Sequence, residues 1–137
     1  MTLDGLIATA RSYVGTPFRH QGRLPGIALD CAGVAVCAAR AEGWPAIDMP
    51  GYSRTPTKGM LRQHLMAQPA LRLVNRSPRF GDLLLMAFGR EDQHVALCAG
   101  DTIIHAYEAV GKVCEHGFTD EWQKRVVAVF EFVEAAE

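Results

Sequence analysis

Apolar side chains recur at helical spacing in the first half of the chain. The repeat predicts a helix over 3–14, ended by Gly15, and its inward face carries Leu3, Leu6, Ile7, Ala10 and Val14. An alanine-rich helix is predicted over 31–41, with Asp30 as its N-cap, and a short amphipathic helix over 58–68. Glycine and proline interrupt the pattern between these helices, so the connections are predicted to be loops.

The pattern changes to short strand-like segments after Pro69. Six strands are predicted between turn residues, and they cover 71–74, 82–88, 93–99, 102–107, 112–116 and 125–133. Helices come first and strands follow, which predicts an α+β fold with the helices packed on one face of an antiparallel sheet rather than a doubly wound fold. The chain has 137 residues and shows no internal repeat or linker, so 1–137 is predicted to be a single domain.

Two of the predicted strands are joined by a turn at 100–101. If that turn has an even number of residues, opposed positions have numbers that sum to 201 and share one sheet face. Ala96 then opposes His105 and His94 opposes Tyr107, so the two histidines are diagonal neighbours. A three-residue turn would shift the register by one and send the histidines to opposite faces. We favour the even turn.

Cys31 falls in the first turn of the alanine-rich helix. Unpaired backbone N–H groups and the helix dipole lower the pKa of a thiol there, and the same N–H groups can hold an oxyanion. With the histidine pair placed under this helix, His94 is predicted to be the general base and His105 to orient it. The alternative for the cysteine is a small buried packing residue, and for each histidine a hydrogen-bonded, partly buried side chain.

Substrate contacts are predicted in the irregular segments beside the candidate nucleophile. The segment 15–26 is rich in glycine and proline and leads directly to the cysteine, and 46–57 is also irregular, with one large amphipathic side chain. The residues that we assign to substrate binding are Phe18, His20, Asp30 and Tyr52.

A zinc site is the alternative to acid–base chemistry. Both zinc ligand types are available in Cys31, His94, Cys98, His105, Cys114 and His116. No C-x-x-C or H-x-x-x-H pair is present, so we predict no metal and no other cofactor. All four cysteines are read as free thiols, and packing roles are assigned to Cys37, Cys98 and Cys114. The sequence places no partner for His20, His64 or His116, and His64 is expected to be solvated.

Charged residues are mixed along the chain without long runs. The 14 basic and 15 acidic residues give a net charge of −1, which provides no electrostatic reason to expect nucleic acid or an anionic membrane as a partner. No apolar run reaches the roughly 18 residues of a membrane span, and the N-terminus lacks the features of a secretory signal. We expect synthesis in the cytoplasm, with any export by another route.

Five short motifs occur in a fixed order and together carry a family resemblance. They are GTPFRHQGR at 15–23, LDCAG at 29–33, FGDLL at 80–84, HVAL at 94–97 and IIHA at 103–106. In this order they resemble the NlpC/P60 superfamily of papain-like cysteine peptidases, specifically the small cell-wall peptidases of phages and gene-transfer agents. No motif is specific alone, but the ordered set is.

The resemblance implies a papain-like fold in which the helix that begins with the cysteine packs on a central antiparallel sheet. It implies Cys31 as nucleophile, His94 as base and His105 as the third member, and hydrolysis of stem-peptide amide bonds in peptidoglycan. The chain departs from the family at Ala32, where serine is frequent, and at Phe18, where tyrosine is frequent. The phenylalanine removes a polar contact near the oxyanion.

The predicted function is therefore a cysteine endopeptidase acting on peptidoglycan as part of a phage-like tail. Two alternatives stay open: a structural tail-assembly protein with this fold and little activity, and a cysteine-dependent acyltransferase or amidase. The predicted partners are the peptidoglycan stem peptide and phage or gene-transfer-agent tail proteins, with no nucleic acid and no membrane span. The expected location is a phage-like particle that acts at the cell wall.

Overall fold

The structure is a computed structural model that describes residues 1–49, 51–52 and 59–134, with all side chains in these ranges except those of Glu91 and Asp92. None of the helices in this described part is long and apolar enough to span a membrane. Positions 50 and 53–57 of the predicted irregular segment lie outside the described residues, as does position 58 at the start of the predicted third helix.

The observed elements follow the predicted order, helices before strands. The helices are α1 (Leu3–Ser12), α2 (Cys31–Ala41), α3 (Met60–Met66) and the single turn α4 (Asp120–Gln123). The strands are β1 (Arg23–Leu24), β2 (Ala28–Leu29), β3 (Leu71–Val74), β4 (Leu83–Phe88), β5 (Glu91–Cys98), β6 (Thr102–Tyr107), β7 (Lys112–Gly117) and β8 (Val126–Phe132). Strands β1 and β2 and helix α4 are absent from the sequence prediction, because segments this short carry no measurable period.

One antiparallel sheet of six strands, in the order β3-β8-β4-β5-β6-β7, forms the centre of the molecule. This confirms the predicted α+β fold. In the β5–β6 hairpin Leu97 opposes Ile104 and Cys98 opposes Ile103, so the residue numbers sum to 201 as predicted. The two-residue turn at 100–101 therefore sets the register.

The two faces of the sheet have different neighbours. The larger core lies on the face that packs against α1 and α2, and its strand residues include Leu83, Leu85, Val95, Leu97, Ile104 and Ala106. The opposite face holds a smaller apolar cluster with Phe118 and Trp122 beside it, and its strand residues are Leu84, Met86, Ala96, Cys98, Ile103 and Val129. The strand period of two places alternate residues on opposite faces.

The position of the histidine pair corrects the sequence prediction. His94 and His105 alternate with Val95 and Ala106, which belong to the core under the helices. Both histidines therefore lie on the opposite face, and the ring of His105 contacts Trp122 there. The register was predicted correctly, but the choice of face was wrong, because register fixes only which residues share a face and not which face a helix covers.

Two glycines allow the loop before α2 to lie directly against the helix. A Cβ on Gly33, in the first turn of α2, would overlap the carbonyl oxygen of Gly22. A Cβ on Gly22 would in turn overlap the backbone of Ala28 in β2. This close approach holds the loop beside the residue at which α2 begins.

Candidate active site

Cys31 is the first residue of α2, as the sequence predicts. The carboxylate of Asp30 caps the helix by accepting a hydrogen bond from the N–H of Gly33 at 2.8 Å. The sulfur of Cys31 accepts from the backbone N–H groups of Val95 in β5 and of Ala32. The nucleophile candidate is thereby fixed at the N-terminus of α2, next to the residue that follows His94.

The charge state of the thiol differs from the sequence prediction. Burial and then the neighbouring Asp30 carboxylate raise the pKa of Cys31 to about 12, against the opposing effect of the N–H groups of Val95 and Ala32 and of Arg23. The expectation of a lowered pKa is wrong because desolvation outweighs the helix terminus. At neutral pH the resting group is a thiol, so a base must remove its proton.

Three histidine rings form a continuous hydrogen-bonded line on the second face of the sheet. Nε2 of His94 lies 2.6 Å from Nδ1 of His105, and Nε2 of His105 lies 2.8 Å from Nε2 of His116. Nδ1 of His116 lies 3.0 Å from the carbonyl oxygen of Gly117. Nδ1 of His94 is the ring nitrogen outside this line.

Both inner histidines are buried, with 5% of His94 and none of His105 exposed to solvent. Burial lowers the pKa of His94 well below its usual value, with further lowering by His105 and by the guanidinium of Arg125. Burial lowers the pKa of His105 to about 3, and His116 and Arg125 act in the same direction. Both rings are therefore neutral at neutral pH.

Aromatic side chains surround the histidine line. The ring of Phe88 lies 5.1 Å from that of His94, and the ring of Trp122 lies 5.0 Å from that of His105. The guanidinium of Arg125 lies 4.3 Å from the centre of the Trp122 ring. The hydrogen bond between His94 and His105 is buried, and the lack of competing water strengthens it.

The sequence analysis did not place His116, Phe88, Trp122 or Arg125 at the site. The parity rule that paired the first two histidines also reaches the third. In the β6–β7 pair His105 opposes Cys114, so His116, two residues further, shares its face as a diagonal neighbour. Trp122 and Arg125 follow no such rule, since they come from a turn and a loop whose packing is long-range.

Asp30 joins the cap of α2 to the irregular segments. Its second carboxylate oxygen accepts from the N–H of Gln21 at 2.8 Å and from the Tyr52 hydroxyl, and Arg23 donates to its first oxygen at 2.8 Å. His20 approaches the Tyr52 carbonyl oxygen at 2.9 Å through Nε2. The predicted substrate residues thus form a connected group around the cap.

A cavity of about 450 Å³ opens at the nucleophile. Cys31 and His94 both line it, together with the four predicted substrate residues Phe18, His20, Asp30 and Tyr52. Most of the remaining wall is apolar, and α2 and α3 contribute several of its residues. Their presence at one cavity is consistent with the assigned roles, which remain predictions.

The remaining cysteines and His64 are distributed over several environments. The four cysteines are free thiols. Cys98 is buried in the second-face core, and the Cys37 sulfur approaches the Arg23 carbonyl oxygen at 3.5 Å. His64 is not solvated as expected: it lines the cavity, Gln68 approaches its Nε2 at 3.1 Å, and burial lowers its pKa.

One group of residues has metal-ligand chemistry. The ligand atoms of His105, Cys114 and His116 lie within 4.8 Å of one another. The Nε2 atoms of His105 and His116 are hydrogen-bonded to each other at 2.8 Å, so an ion shared by these two atoms would require both rings to turn.

Comparison with known proteins agrees with this architecture. The chain is similar to an NlpC/P60 family protein from Bacillus cereus, with 21% identity, a TM-score of 0.69, and coverage of 94% of this chain and 39% of that one. It is also similar to the NlpC/p60 domain of the peptidoglycan hydrolase SagA, with 21% identity, a TM-score of 0.63, and coverage of 94% and 97%. A third similar structure is the peptidoglycan hydrolase RipB from Mycobacterium tuberculosis, with 19% identity, a TM-score of 0.66, and coverage of 98% of this chain and 65% of that one.

No curated protein sequence matches the chain significantly. At these identities the solved structures establish the fold, and the sequence model of a family establishes membership. The model of the NlpC/P60 family matches residues 15–131, which include the cysteine, the three histidines of the line and the whole six-stranded sheet except Phe132, the last residue of β8. The chain therefore belongs to the NlpC/P60 family.

Proposed function

We propose that this protein is a cysteine endopeptidase that hydrolyses amide bonds in the stem peptides of peptidoglycan. The observation that carries the proposal is the shared cavity of Cys31 and His94, with His94 held by His105. Family membership supports hydrolysis of the cell wall, and two of the similar structures are named as peptidoglycan hydrolases.

The reaction begins with a neutral thiol and a neutral imidazole. Nδ1 of His94 takes the proton of Cys31 as the sulfur attacks the amide carbonyl carbon, which forms the C–S bond and an oxyanion. The imidazolium then donates that proton to the amine as the C–N bond breaks, which leaves a thioester. Water, deprotonated by His94, attacks the thioester and releases the acid and the free thiol.

Backbone groups at the start of α2 provide the oxyanion contacts in this proposal. The N–H groups of Gly33 and Val34 already donate to Asp30, so we assign the oxyanion to the N–H of Cys31, where the positive end of the dipole favours the negative oxygen. Phe18, on the cavity wall, offers no hydroxyl for this purpose. The oxyanion is therefore stabilised by the backbone of α2 and not by this side chain.

Purified cell wall provides the direct test. The wild-type chain is expected to release soluble muropeptides whose new amine and acid ends, identified by mass spectrometry, define the bond that is cut. Cys31→Ala is expected to abolish release and to stay folded, since alanine is well tolerated in a helix. Cys37→Ala, six residues along the same helix, is the matched control and is expected to retain activity.

Retained hydrolysis in Cys31→Ala would contradict the cysteine mechanism. Absence of hydrolysis by the folded wild type, both in solution and in a zymogram, would favour the structural tail-assembly alternative. For His94→Ala the loss is expected to equal that of Cys31→Ala, and the double variant to be no worse, because residues that act as one unit are not additive.

The apolar wall of the cavity favours a second candidate, acyl transfer by the same cysteine. The residues Val36, Leu61, Leu65, Leu71 and Phe132 line the same cavity. A surface of this kind accepts an acyl chain better than a charged stem peptide. A long-chain acyl thioester offered with a primary amine separates the two: transfer faster than wall hydrolysis would favour the acyltransferase.

We further propose that the protein reaches the wall in a phage-like tail. The support is the likeness of its five motifs to those of phage and gene-transfer-agent peptidases. Particles purified from the source cells are expected to contain the chain, detected by mass spectrometry, together with tail proteins. Its recovery only outside such particles would contradict this route.

A further inference from the structure

The direction of hydrogen bonding along the histidine line is set at one end, where His116 contacts the carbonyl oxygen of Gly117. Nδ1 of His116 faces the carbonyl oxygen of Gly117 at 3.0 Å, and a carbonyl can only accept. In that contact Nδ1 of His116 must carry the proton. A neutral imidazole has one N–H, so Nε2 of the same ring then bears a lone pair.

The direction of the remaining hydrogen bonds follows from that end. Nε2 of His105 must donate to Nε2 of His116 across 2.8 Å, which leaves Nδ1 of His105 as an acceptor. Nε2 of His94 must donate to that acceptor across 2.6 Å, which leaves the lone pair of His94 on Nδ1. This nitrogen lies outside the line on a ring that shares the cavity with Cys31, and its lone pair is what a general base requires.

We propose that His116 is a positioning residue that sets, through His105, the tautomer of His94. The proposal rests on the proposed function for its kinetic consequence, but the tautomer itself is a property of the resting protein. Two features of the surroundings support it: His105 is fully buried, and Trp122 packs against both His105 and His116 at 5.0 and 4.9 Å. The buried ring of His105 has no water to replace its two histidine partners, whereas His116 is partly exposed at the end of the line.

Nitrogen-15 NMR of the whole chain labelled at histidine tests the proposal without reference to activity. The chemical shift of a neutral imidazole nitrogen depends strongly on whether it carries the proton. We expect His94 and His105 to carry it on Nε2 and His116 on Nδ1. A proton on Nδ1 of His94 in the resting protein would overturn the proposal even if the enzyme is active.

Substitution of His116 gives the kinetic test. His116→Phe removes the acceptor for His105, and we expect kcat to fall about 10-fold or more with KM nearly unchanged, since a histidine in the wrong tautomer can cost up to about 10⁴-fold. His116→Gln offers a carbonyl oxygen in place of Nε2 and is expected to recover most of kcat. The Nε2–H signal of His94 should weaken in His116→Phe and return in His116→Gln.

Glu115→Gln is the matched control on the same strand. Glu115 points to the other face of β7, where it pairs with Arg11, so its loss perturbs stability without touching the histidines. We expect its kcat and its His94 tautomer to equal those of the wild type. Equal kcat and an equal tautomer in His116→Phe would show that His116 has only a structural role, whereas an inactive wild type with the expected tautomer would refute the proposed function alone.

Discussion

Asp30 has two effects on the nucleophile that act in opposite directions. Its carboxylate caps α2 and accepts hydrogen bonds from Gly33, Gln21, Arg23 and Tyr52, so it holds the first helical turn in place. The same negative charge raises the pKa of the neighbouring thiol. The residue therefore favours a well-placed thiol over a preformed thiolate, and proton removal becomes the task of the histidine.

Alkylation of Cys31 as a function of pH tests this balance. We expect the rate with iodoacetamide to rise with a midpoint above the pKa of about 8.5 of a free cysteine, and not at pH 6 as a helix terminus alone predicts. Asp30→Asn removes the charge and should move the midpoint to lower pH. Peptide mapping of the folded protein measures it, with Cys37 as the internal comparison.

Asp30→Asn is also expected to lower the free energy of unfolding by about 1 to 3 kcal/mol. Arg23 loses its buried charged partner, and one carboxylate oxygen is replaced by an NH₂ group that can only donate hydrogen bonds. Urea unfolding measures this loss.

In the alkylation experiment, a midpoint below about pH 7 for the wild-type protein would show that Cys31 rests as a thiolate. It would contradict the assignment of its charge state.

At the scale of elements, the hairpin of β5 and β6 is the part of the site that local sequence predicts best. A two-residue turn fixes the register, and the register places His94 and His105 side by side. Strand β7 adds the third ring by the same parity. The helix contributes the cysteine from a separate part of the chain, and its approach to β5 depends on the glycines that let the preceding loop lie against it.

Strand β7 carries two of the three possible zinc ligands, Cys114 and His116, and we predict that zinc inhibits the enzyme there. Zn²⁺ shared by His105, His116 and Cys114 would turn both rings and break the hydrogen bond between them, so the proton of His94 would no longer be held on Nε2. We expect added Zn²⁺ to inhibit the enzyme and a chelator to restore it. Cys114→Ser should raise the zinc concentration needed for half-inhibition by about 10-fold or more, which is the loss of metal affinity typical when one residue of a metal site is replaced.

Inhibition of equal strength in Cys114→Ser would mean that zinc acts elsewhere, for instance at the nucleophile. The uninhibited rate of this variant serves as its own control, since it shows that the histidine line still functions without the thiol.

Gly33→Ala tests the contact between α2 and the preceding loop. The added methyl would overlap the Gly22 carbonyl, so we expect a loss of about 1 to 3 kcal/mol in the free energy of unfolding and a lower kcat from a displaced thiol. Ala32→Ser, in the same helical turn, is the control and should retain both. Thermal unfolding and wall hydrolysis measure the two effects, and an unchanged Gly33→Ala would contradict the close packing.

For the whole molecule, the buried neutral histidines make stability depend on pH. The folded pKa values of His94 and His105 lie below the value of about 6.5 of the unfolded chain, so the unfolded chain binds more protons below that pH. The contribution of the two neutral rings to the free energy of unfolding is therefore fully present above about pH 6.5. Below that pH the free energy of unfolding falls, by up to about 1.4 kcal/mol per pH unit for each ring.

Urea unfolding between pH 7.5 and 5.5 measures this slope. His105→Asn removes one of the two rings and is expected to reduce the slope by about half. Stability that stays constant over this range would show that the rings are charged or exposed in the folded protein.

Local sequence determined much of this protein. The periods of two and 3.6 residues placed the six long strands and the first three helices, and turn chemistry set the hairpin register. The N-cap before Cys31 and the parity of the two hairpins follow from neighbours within a few residues, which is why they are readable without a structure.

Tertiary packing decided the rest. Parity groups residues on a face, but the packing of α1 and α2 determined that the histidines lie on the opposite face, under Trp122. Helix polarity favours a thiolate, but burial and the Asp30 charge outweigh it. Both outcomes depend on desolvation, which is set by the residues that surround a group in space and therefore by contacts that no local pattern encodes.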